Sequence, residues 1–447
     1  MLMTIAYIAE VCGGELSSAC LKQTKIEGFF TDSRSPEQNK MFLALKGERV
    51  DGNSFVPKIL SEGYAAITDD KENLKYGGNC VYVPDVREAL LCLARHYREN
   101  ELADMPFIGI TGSVGKTTTK DMIALALSSE LTVHKTKGNS NSQIGLPQTV
   151  LATDPTVDCA VVELGMSMPG EMENISRCAK PDISVITNIG YSHIENLGSR
   201  EAIRDEKLKI AMFSDENSVL LLNGDEPLLK SVDLKGKRAF YVSLDNSNCD
   251  CYASETENGF YGVVFKAHIF GEVCEVKLSV CGEHFITNAL FALACAYLRG
   301  LDIKLAAKSL GTYESDGKRQ YLFERNGHTV ISDCYNASPE SMKAALSVLA
   351  VSKGRKIAVL GDMLELGVES PSLHRIVGEC VGSCADVLVT YGELSKDIYD
   401  KAEVSEKYAF STDEREAMKE FLEKFIKQGD TVLYKASNGM HLGEAIV

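Results

Sequence analysis

A Gly-rich segment, Thr111-Gly-Ser-Val-Gly-Lys-Thr-Thr118, has the makings of a phosphate-binding loop. It follows a short apolar run, Phe107-Ile-Gly-Ile-Thr111, and precedes a stretch with helical apolar spacing. That is the order such a loop requires. Gly112 and Gly115 permit a tight turn, so the N–H groups from Ser113 and Val114 to Thr118 can face inward toward a phosphate. The helix that follows adds its positive N-terminal end. Lys116 can reach the β- and γ-phosphates of ATP, and the Thr117 hydroxyl can ligate Mg²⁺. The loop is GxxGKT, with Ile110 where the longer GxxxxGKT form has its first Gly. No Asn-Lys-x-Asp guanine-reading motif occurs, which argues against a GTPase switch.

Two further candidates stand at strand ends. Glu163 closes the apolar run Ala160-Val-Val-Glu163, where a second Mg²⁺ ligand belongs. His193 lies in Thr187-Asn-Ile-Gly-Tyr-Ser-His193, just after the run Ile183–Thr187. By residue type alone, Lys207 in Arg204-Asp-Glu-Lys-Leu-Lys-Ile210 reads as a charged helix face. On the same terms Asp333 reads as a strand-end acid and His374 as a helix-surface residue.

The elements needed to position these groups are legible as alternating strands and helices. From Pro106 onward, Phe107–Thr111, Cys159–Leu164, Ile183–Thr187 and Val219–Leu222 read as strands, and Lys116–Glu130 as a helix. This alternation predicts a doubly wound parallel sheet. Cys251–Val280 has a shorter alternating rhythm and predicts an antiparallel flap. After Glu314 the alternation restarts. Thr329–Asp333, Lys356–Leu360, Asp386–Tyr391 and Thr431–Tyr434 are predicted strands; Pro339–Leu349, Ser372–Cys380 and Glu414–Lys427 are predicted helices. The first hundred residues are mixed, with strands at Met41–Leu45 and Ala65–Thr68 and a helix at Arg87–Tyr97. The length of 447 residues suggests about three domains. The expected boundaries are 1–104, 105–313 and 314–447, all α/β, with ligands held where domains meet.

Composition narrows the partners. A net charge of −16 disfavours broad nucleic-acid binding, although a local cradle of backbone amides can still hold a small anion. Met1 to Glu10 has no basic n-region, and the longest apolar stretch, Phe285–Leu298, is too short to span a bilayer, which takes about 20 residues. No membrane partner is expected. The 14 cysteines are scattered without a CxxC pair. They read as reduced core thiols, which points to the cytoplasm.

Taken together, the motifs resemble the Mur ligase superfamily, the ATP-dependent amide ligases of peptidoglycan precursor synthesis, and they do so in order along the whole chain. Thr31-Asp-Ser-Arg34 and Met41-Phe-Leu-Ala-Leu-Lys-Gly-Glu-Arg-Val-Asp-Gly-Asn-Ser-Phe55 look like the uridine-nucleotide domain of these enzymes. The resemblance implies contacts to a UDP-sugar from Ser33, Arg34, Lys46 and Asp51. Lys137-Gly-Asn-Ser-Asn-Ser-Gln-Ile-Gly-Leu-Pro147 is similar to GNxNNxIGxP, with Ser142 in place of an Asn. Glu163-Leu-Gly-Met-Ser-Met-Pro-Gly-Glu171 and Thr187–His193 match closely. Gly282-Glu-His-Phe-Ile-Thr-Asn-Ala289 resembles GxHNxxNA, with Phe285 in place of the first Asn, and implies adenine contacts from His284 and Asn288. Arg319 and Asp333-Cys-Tyr-Asn-Ala-Ser-Pro339 resemble the arginine and DxYNANP motif that close over ATP, with Ser338 in place of an Asn. Peptide-substrate roles extend to Asn139, Asn141, Tyr335 and Asn336. Gly361-Asp-Met-Leu-Glu-Leu-Gly367 with His374 matches GDMxELGxxSxxxH, a pattern without an evident chemical role.

The resemblance also implies an uncommon metal ligand. Lys207 aligns with a lysine that the family carbamylates, which turns a cation into an anionic oxygen donor. Glu163, His193 and the carbamate of Lys207 would hold one Mg²⁺; Thr117, Glu163 and ATP phosphate oxygens would hold the other. The implied reaction joins D-alanyl-D-alanine to UDP-N-acetylmuramoyl tripeptide through an acyl phosphate, with Lys116 and Arg319 offsetting phosphoryl charge. A monomer that opens and closes suits this reaction. Two other readings share part of the pattern. One is another amide ligase of the superfamily, such as the enzyme adding the third peptide residue, although the DNPR motif of its diaminopimelate-adding form is absent. The other is an inactive nucleotide-binding relative, against which the set Lys116, Thr117, Glu163, His193 and Lys207 argues.

Overall fold

The computed structural model describes residues 2–47, 50–315, 317 and 319–447. Two positions of the uridine-type stretch, Glu48 and Arg49, lie outside them. Three large sheets organise the chain, beside a two-stranded one that pairs Met3–Thr4 with Lys25–Ile26. The first has five short strands in the order Glu15–Leu16, Cys80–Tyr82, Ala65–Thr68, Lys40–Leu43 and Gly28–Phe30. All of its pairings are parallel except the first.

The second sheet has nine strands and forms the centre of the molecule. Phe107–Thr111 lies between Cys159–Glu163 and Ile183–Ile186, parallel to both. Val133–Lys135 completes one side; Val219–Asn223 and Arg238–Val242 extend the other. The three central strands are buried along their whole length because they are covered on both faces. Ile108, Ile110 and Val161 pack toward the helix Lys116–Leu127 and the helix Glu283–Leu298. Phe107, Ala160 and Val162 point the other way, toward the core that includes Leu146 and Ile175. The long apolar run is thus a helix enclosed on nearly all sides, which explains its lack of a polar stripe. The antiparallel strands Cys251–Gly259, Gly262–Ile269 and Glu272–Leu278 continue the edge of this sheet.

The third sheet has six strands, ordered Tyr321–Arg325, His328–Asp333, Thr431–Lys435, Lys356–Gly361, Val387–Tyr391 and Glu406–Phe410. Only the first pairing is antiparallel. The register sets Asp333 beside Lys435 at the carboxyl ends of neighbouring strands.

The helix Val86–Asn100 ties the first sheet to the centre. Asp85 caps it by accepting from the Arg87 and Glu88 N–H groups at 2.7 and 2.9 Å. Its other end is locked from the central helices. Tyr97 donates to the Thr153 carbonyl at 3.0 Å, and the buried Arg98 donates to the Ala179 carbonyl at 3.1 Å. Among the described residues no helix is long and apolar enough to cross a membrane, and all 14 cysteines are free thiols.

Candidate active site

In an open parallel sheet a ligand sits beyond the carboxyl ends of the strands, where the strand order switches direction. Here the switch occurs at Phe107–Thr111, and the Gly-rich loop leaves from that point. Gly112 has φ +149°, and a Cβ there would stand 1.9 Å from Thr187 Oγ1. Gly115 has φ +86° and begins the helix. The loop is pinned from the neighbouring strand end. Val114 N–H donates to Asn188 Oδ1 at 2.9 Å, Gly190 N–H donates to Ser113 Oγ at 2.8 Å, and Thr187 donates to the Val114 carbonyl at 2.5 Å. Lys116 folds back onto the loop, donating to the Gly112 carbonyl at 2.8 Å.

Glu163 closes the strand on the other side and is 1% exposed. Thr117 donates to its Oε2 at 2.9 Å, and Asn141 donates to its Oε1 at 2.7 Å. A buried carboxylate held only by neutral donors is short of a positive partner. Lys116 supplies part of that charge from a distance. Burial pulls its ammonium below the usual range, while Glu163 opposes the shift and Arg319 adds to it.

Lys207 corrects the reading from residue type. It is 1% exposed rather than on a charged face. The reason is packing: its helix, Arg200–Leu208, turns Ile203, Glu206 and Lys207 inward. Burial pushes the Lys207 ammonium well below its ordinary range; repulsion from Lys116 adds to this, and Glu206 opposes it. The shift runs toward the neutral amine, the form that reacts with electrophiles.

Residues of the third sheet complete a cleft of about 570 Å³. Its walls include Ser113 to Thr118, Asn139, Asn141, Glu163 and His193 from the centre. His284 and Asn288 come from the enclosed helix, and Arg319, Asp333, Tyr335 and Asn336 from the C-terminal region. The Arg319 guanidinium lies over the Tyr335 ring at 3.9 Å. Thr119 donates to Asn288 Oδ1 at 3.0 Å, which fixes Asn288 behind the loop. His284 is driven down to about 4 by burial, with Asp333 and Gln320 opposing and Lys435 assisting. It is therefore a neutral imidazole near neutral pH.

Gly112 and Lys207 do not line this cleft directly, and neither do the uridine candidates. Arg34 is spread bidentately on Asp32, at 2.9 and 2.8 Å, on the surface of the first sheet. Lys46 and Asp51 pair through an isolated backbone bridge, and the Asp51 carboxylate caps the turn at Asn53. Ser33 is partly buried in the adjoining turn. His374, expected on a helix surface, is 0% exposed. Its Nε2 accepts from the Met363 N–H at 3.0 Å.

Several cleft residues were not singled out from the sequence. Lys435 is 1% exposed and donates to Asp333 Oδ2 at 2.7 Å and to the Asn336 carbonyl at 3.0 Å. Its place at the end of Thr431–Tyr434 was the available signal. Glu340, in the first turn of the helix Pro339–Ala350, carries a buried Oε2 without a hydrogen-bond partner. Its carboxylate lies where a Cβ on Gly190 would be 2.7 Å away. Asn188 reaches the loop only through the fold.

This combination defines a class: multidomain α/β proteins with a nucleotide-binding P-loop at the switch point of a central parallel sheet. The chain matches that class by comparison as well. Residues 110–296 match the Mur ligase middle domain, and residues 318–438 match the Mur ligase glutamate ligase domain. The UDP-N-acetylmuramoyl-tripeptide–D-alanyl-D-alanine ligase of Bacillus subtilis (strain 168) is 40% identical, over 99% of this chain and 97% of the relative. Among solved structures, MurF from Acinetobacter baumannii superposes with TM-score 0.91 at 28% identity, covering 100% of this chain and 98% of that one. MurF ligase from Thermotoga maritima in complex with ADP gives TM-score 0.81 at 27% identity, covering 94% and 96%. The chain belongs to the Mur ligase family, in the branch of the UDP-N-acetylmuramoyl-tripeptide–D-alanyl-D-alanine ligases.

Proposed function

We propose that this protein is an ADP-forming amide ligase that joins D-alanyl-D-alanine to UDP-N-acetylmuramoyl tripeptide in the cytoplasm. The observation that carries this reading is a run of cations leading away from one buried carboxylate. Lys116, at the head of a P-loop helix, is attracted by Glu163 and repelled by Arg319, and it in turn repels the buried Lys207. Mutual repulsion of this kind is offset when a polyanion binds.

A free carboxylate resists attack by an amine, because it is already negative and oxide does not leave. ATP removes both obstacles. A carboxylate oxygen of the tripeptide forms a bond to the γ-phosphorus while the bond to ADP breaks, giving an acyl phosphate. The amine then bonds to the carbonyl carbon, loses a proton, and phosphate departs. The loop amides and Lys116 hold the triphosphate and offset charge as it spreads over the phosphoryl oxygens. Arg319, seated on Tyr335, does the same from the closing domain. His284 and Asn288 are the adenine contacts in this reading, and Asp333, oriented by Lys435, is the ribose contact. Asn139, Asn141, Tyr335 and Asn336 border the path of the peptide. Ser33, Arg34, Lys46 and Asp51 face the UDP moiety on a separate anchoring domain. The domains correspond to 1–104, 105–313 and 314–447.

The donor set suits hard divalent cations. Thr117 and Glu163 set two oxygens 2.9 Å apart, and Glu163 has no ion pair among the described residues. Among the described residues no group of three or more His, Cys, Asp or Glu is clustered for a metal. Mg²⁺ takes a few protein oxygens together with phosphates and water. Thr117 and Glu163 would hold one ion, and Glu163, His193 and carbamylated Lys207 the other. Bound Mg²⁺ supplies charge neutralisation between the carboxylate and the triphosphate.

Phosphate release tests the reading directly. It should require ATP, the UDP-tripeptide and D-alanyl-D-alanine together, each omitted in turn. Release that is indifferent to D-alanyl-D-alanine would refute it.

A further inference from the structure

The segment Gly361–Gly367 with His374 has no part in the chemistry above, yet nearly every residue in it has a fixed task. Gly361 lies against Ala436, where a Cβ would come within 2.7 Å of the alanine Cβ. Asp362 accepts from the Ser395 N–H at 2.7 Å. Met363 N–H donates to the buried His374, and Leu364 N–H donates to Ser437 Oγ at 2.9 Å. Leu366 is 2% exposed. What this rigid arm presents is Glu365.

Glu365 reaches across the seam between the third sheet and the centre. Its Oε2 lies 2.7 Å from His193 Nδ1. Nδ1 is buried, and this carboxylate is the charged group set against it. Both residues have left-handed backbones, φ +63° for Glu365 and +66° for His193. Such a backbone is uncommon outside glycine, so the surroundings impose it. A second contact marks the same seam: Gly367, at φ +52°, packs where a Cβ would be 3.3 Å from the Glu195 Cβ.

We propose that Glu365 is a positioning residue for His193. Its carboxylate, delivered by the C-terminal domain, engages Nδ1 and turns Nε2 toward the cleft. Closure of the domain and orientation of the metal-binding nitrogen then become one event. Carboxylates that orient metal-bound histidines in this way are a general device. The inference rests on the reading of His193 as a metal ligand.

The test uses full-length protein with ADP and follows Mn²⁺ binding by the electron paramagnetic resonance signal of the free ion. Glu365→Gln should weaken Mn²⁺ binding about 10-fold or more, and Glu365→Asp should recover part of the loss. Glu369→Gln, at the exposed end of the same arm, should bind as the wild type does. His193→Asn is the reference. If His193→Asn weakens binding and Glu365→Gln does not, the positioning role is overturned and the ligand reading stands. If neither changes binding, both are overturned. If Glu365→Gln and Glu369→Gln weaken it equally, the effect belongs to the arm's folding and the positioning role is overturned.

Discussion

At the scale of single residues, Lys207 is the sharpest case of environment deciding chemistry. The helix Arg200–Leu208 is strongly charged, and a lysine in it reads from sequence as solvated. Burial removes the water that stabilises an ammonium, and Lys116 repels what charge remains. A neutral amine is the form that adds to carbon dioxide. Lys207→Ala should therefore lose activity by at least on the order of 100-fold. Short-chain carboxylic acids added to that variant should restore part of it, by filling the space of the carbamate with another oxygen donor. A Lys207→Ala enzyme with near-normal turnover would show that the amine is dispensable. Sequence patterns located this lysine only through the family likeness. Its depth comes from Ile203 and Glu206 turning the same helix face inward, a tertiary effect that no short window contains.

At the scale of elements, the loop after Phe107–Thr111 depends on its neighbours more than on its own glycines. Thr187, Asn188 and Gly190 all hold it from the next strand's end. Gly112 is the point of closest approach. Gly112→Ala would force a Cβ onto Thr187 Oγ1 in a backbone conformation that L residues rarely adopt. ADP binding by calorimetry should weaken about 10-fold or more, because misaligned loop amides lose their aim at phosphate. Unchanged affinity would mean that the loop is not the phosphate cradle. Most elements were readable in advance. The loop's strand and helix, Pro339–Ala350 and Thr431–Lys435 all follow from apolar period and turn residues. Tyr321–Arg325 and Glu406–Phe410 were not readable. They are edge strands with mixed polar sequence, and pairing partners alone make them strands. The antiparallel strands 251–278 were legible as a rhythm, but their union with the nine-stranded sheet was not.

At the scale of the molecule, an acidic chain gathers Lys116, Arg319 and Lys435 in one cleft between sheets. The cleft also hides a histidine. His284 has its pKa lowered to about 4, against an ordinary value of 6.5. The unfolded chain therefore binds the proton more readily, and the stability linked to neutral His284 is present above pH 6.5. It should be lost progressively as the pH falls from 6.5 toward 4. Thermal midpoints across that range should fall more steeply for the wild type than for His284→Asn; parallel curves would contradict the assignment.

The central claim is that the tripeptide carboxylate is activated by transfer of the γ-phosphoryl group before the amide forms. The most direct measurement follows the carboxylate oxygen. UDP-N-acetylmuramoyl tripeptide labelled with ¹⁸O in the reacting carboxylate is incubated with ATP, Mg²⁺ and D-alanyl-D-alanine, and the released phosphate is analysed by mass spectrometry. An acyl phosphate leaves one ¹⁸O in each phosphate formed. Unlabelled phosphate, released alongside the amide product, would contradict the account.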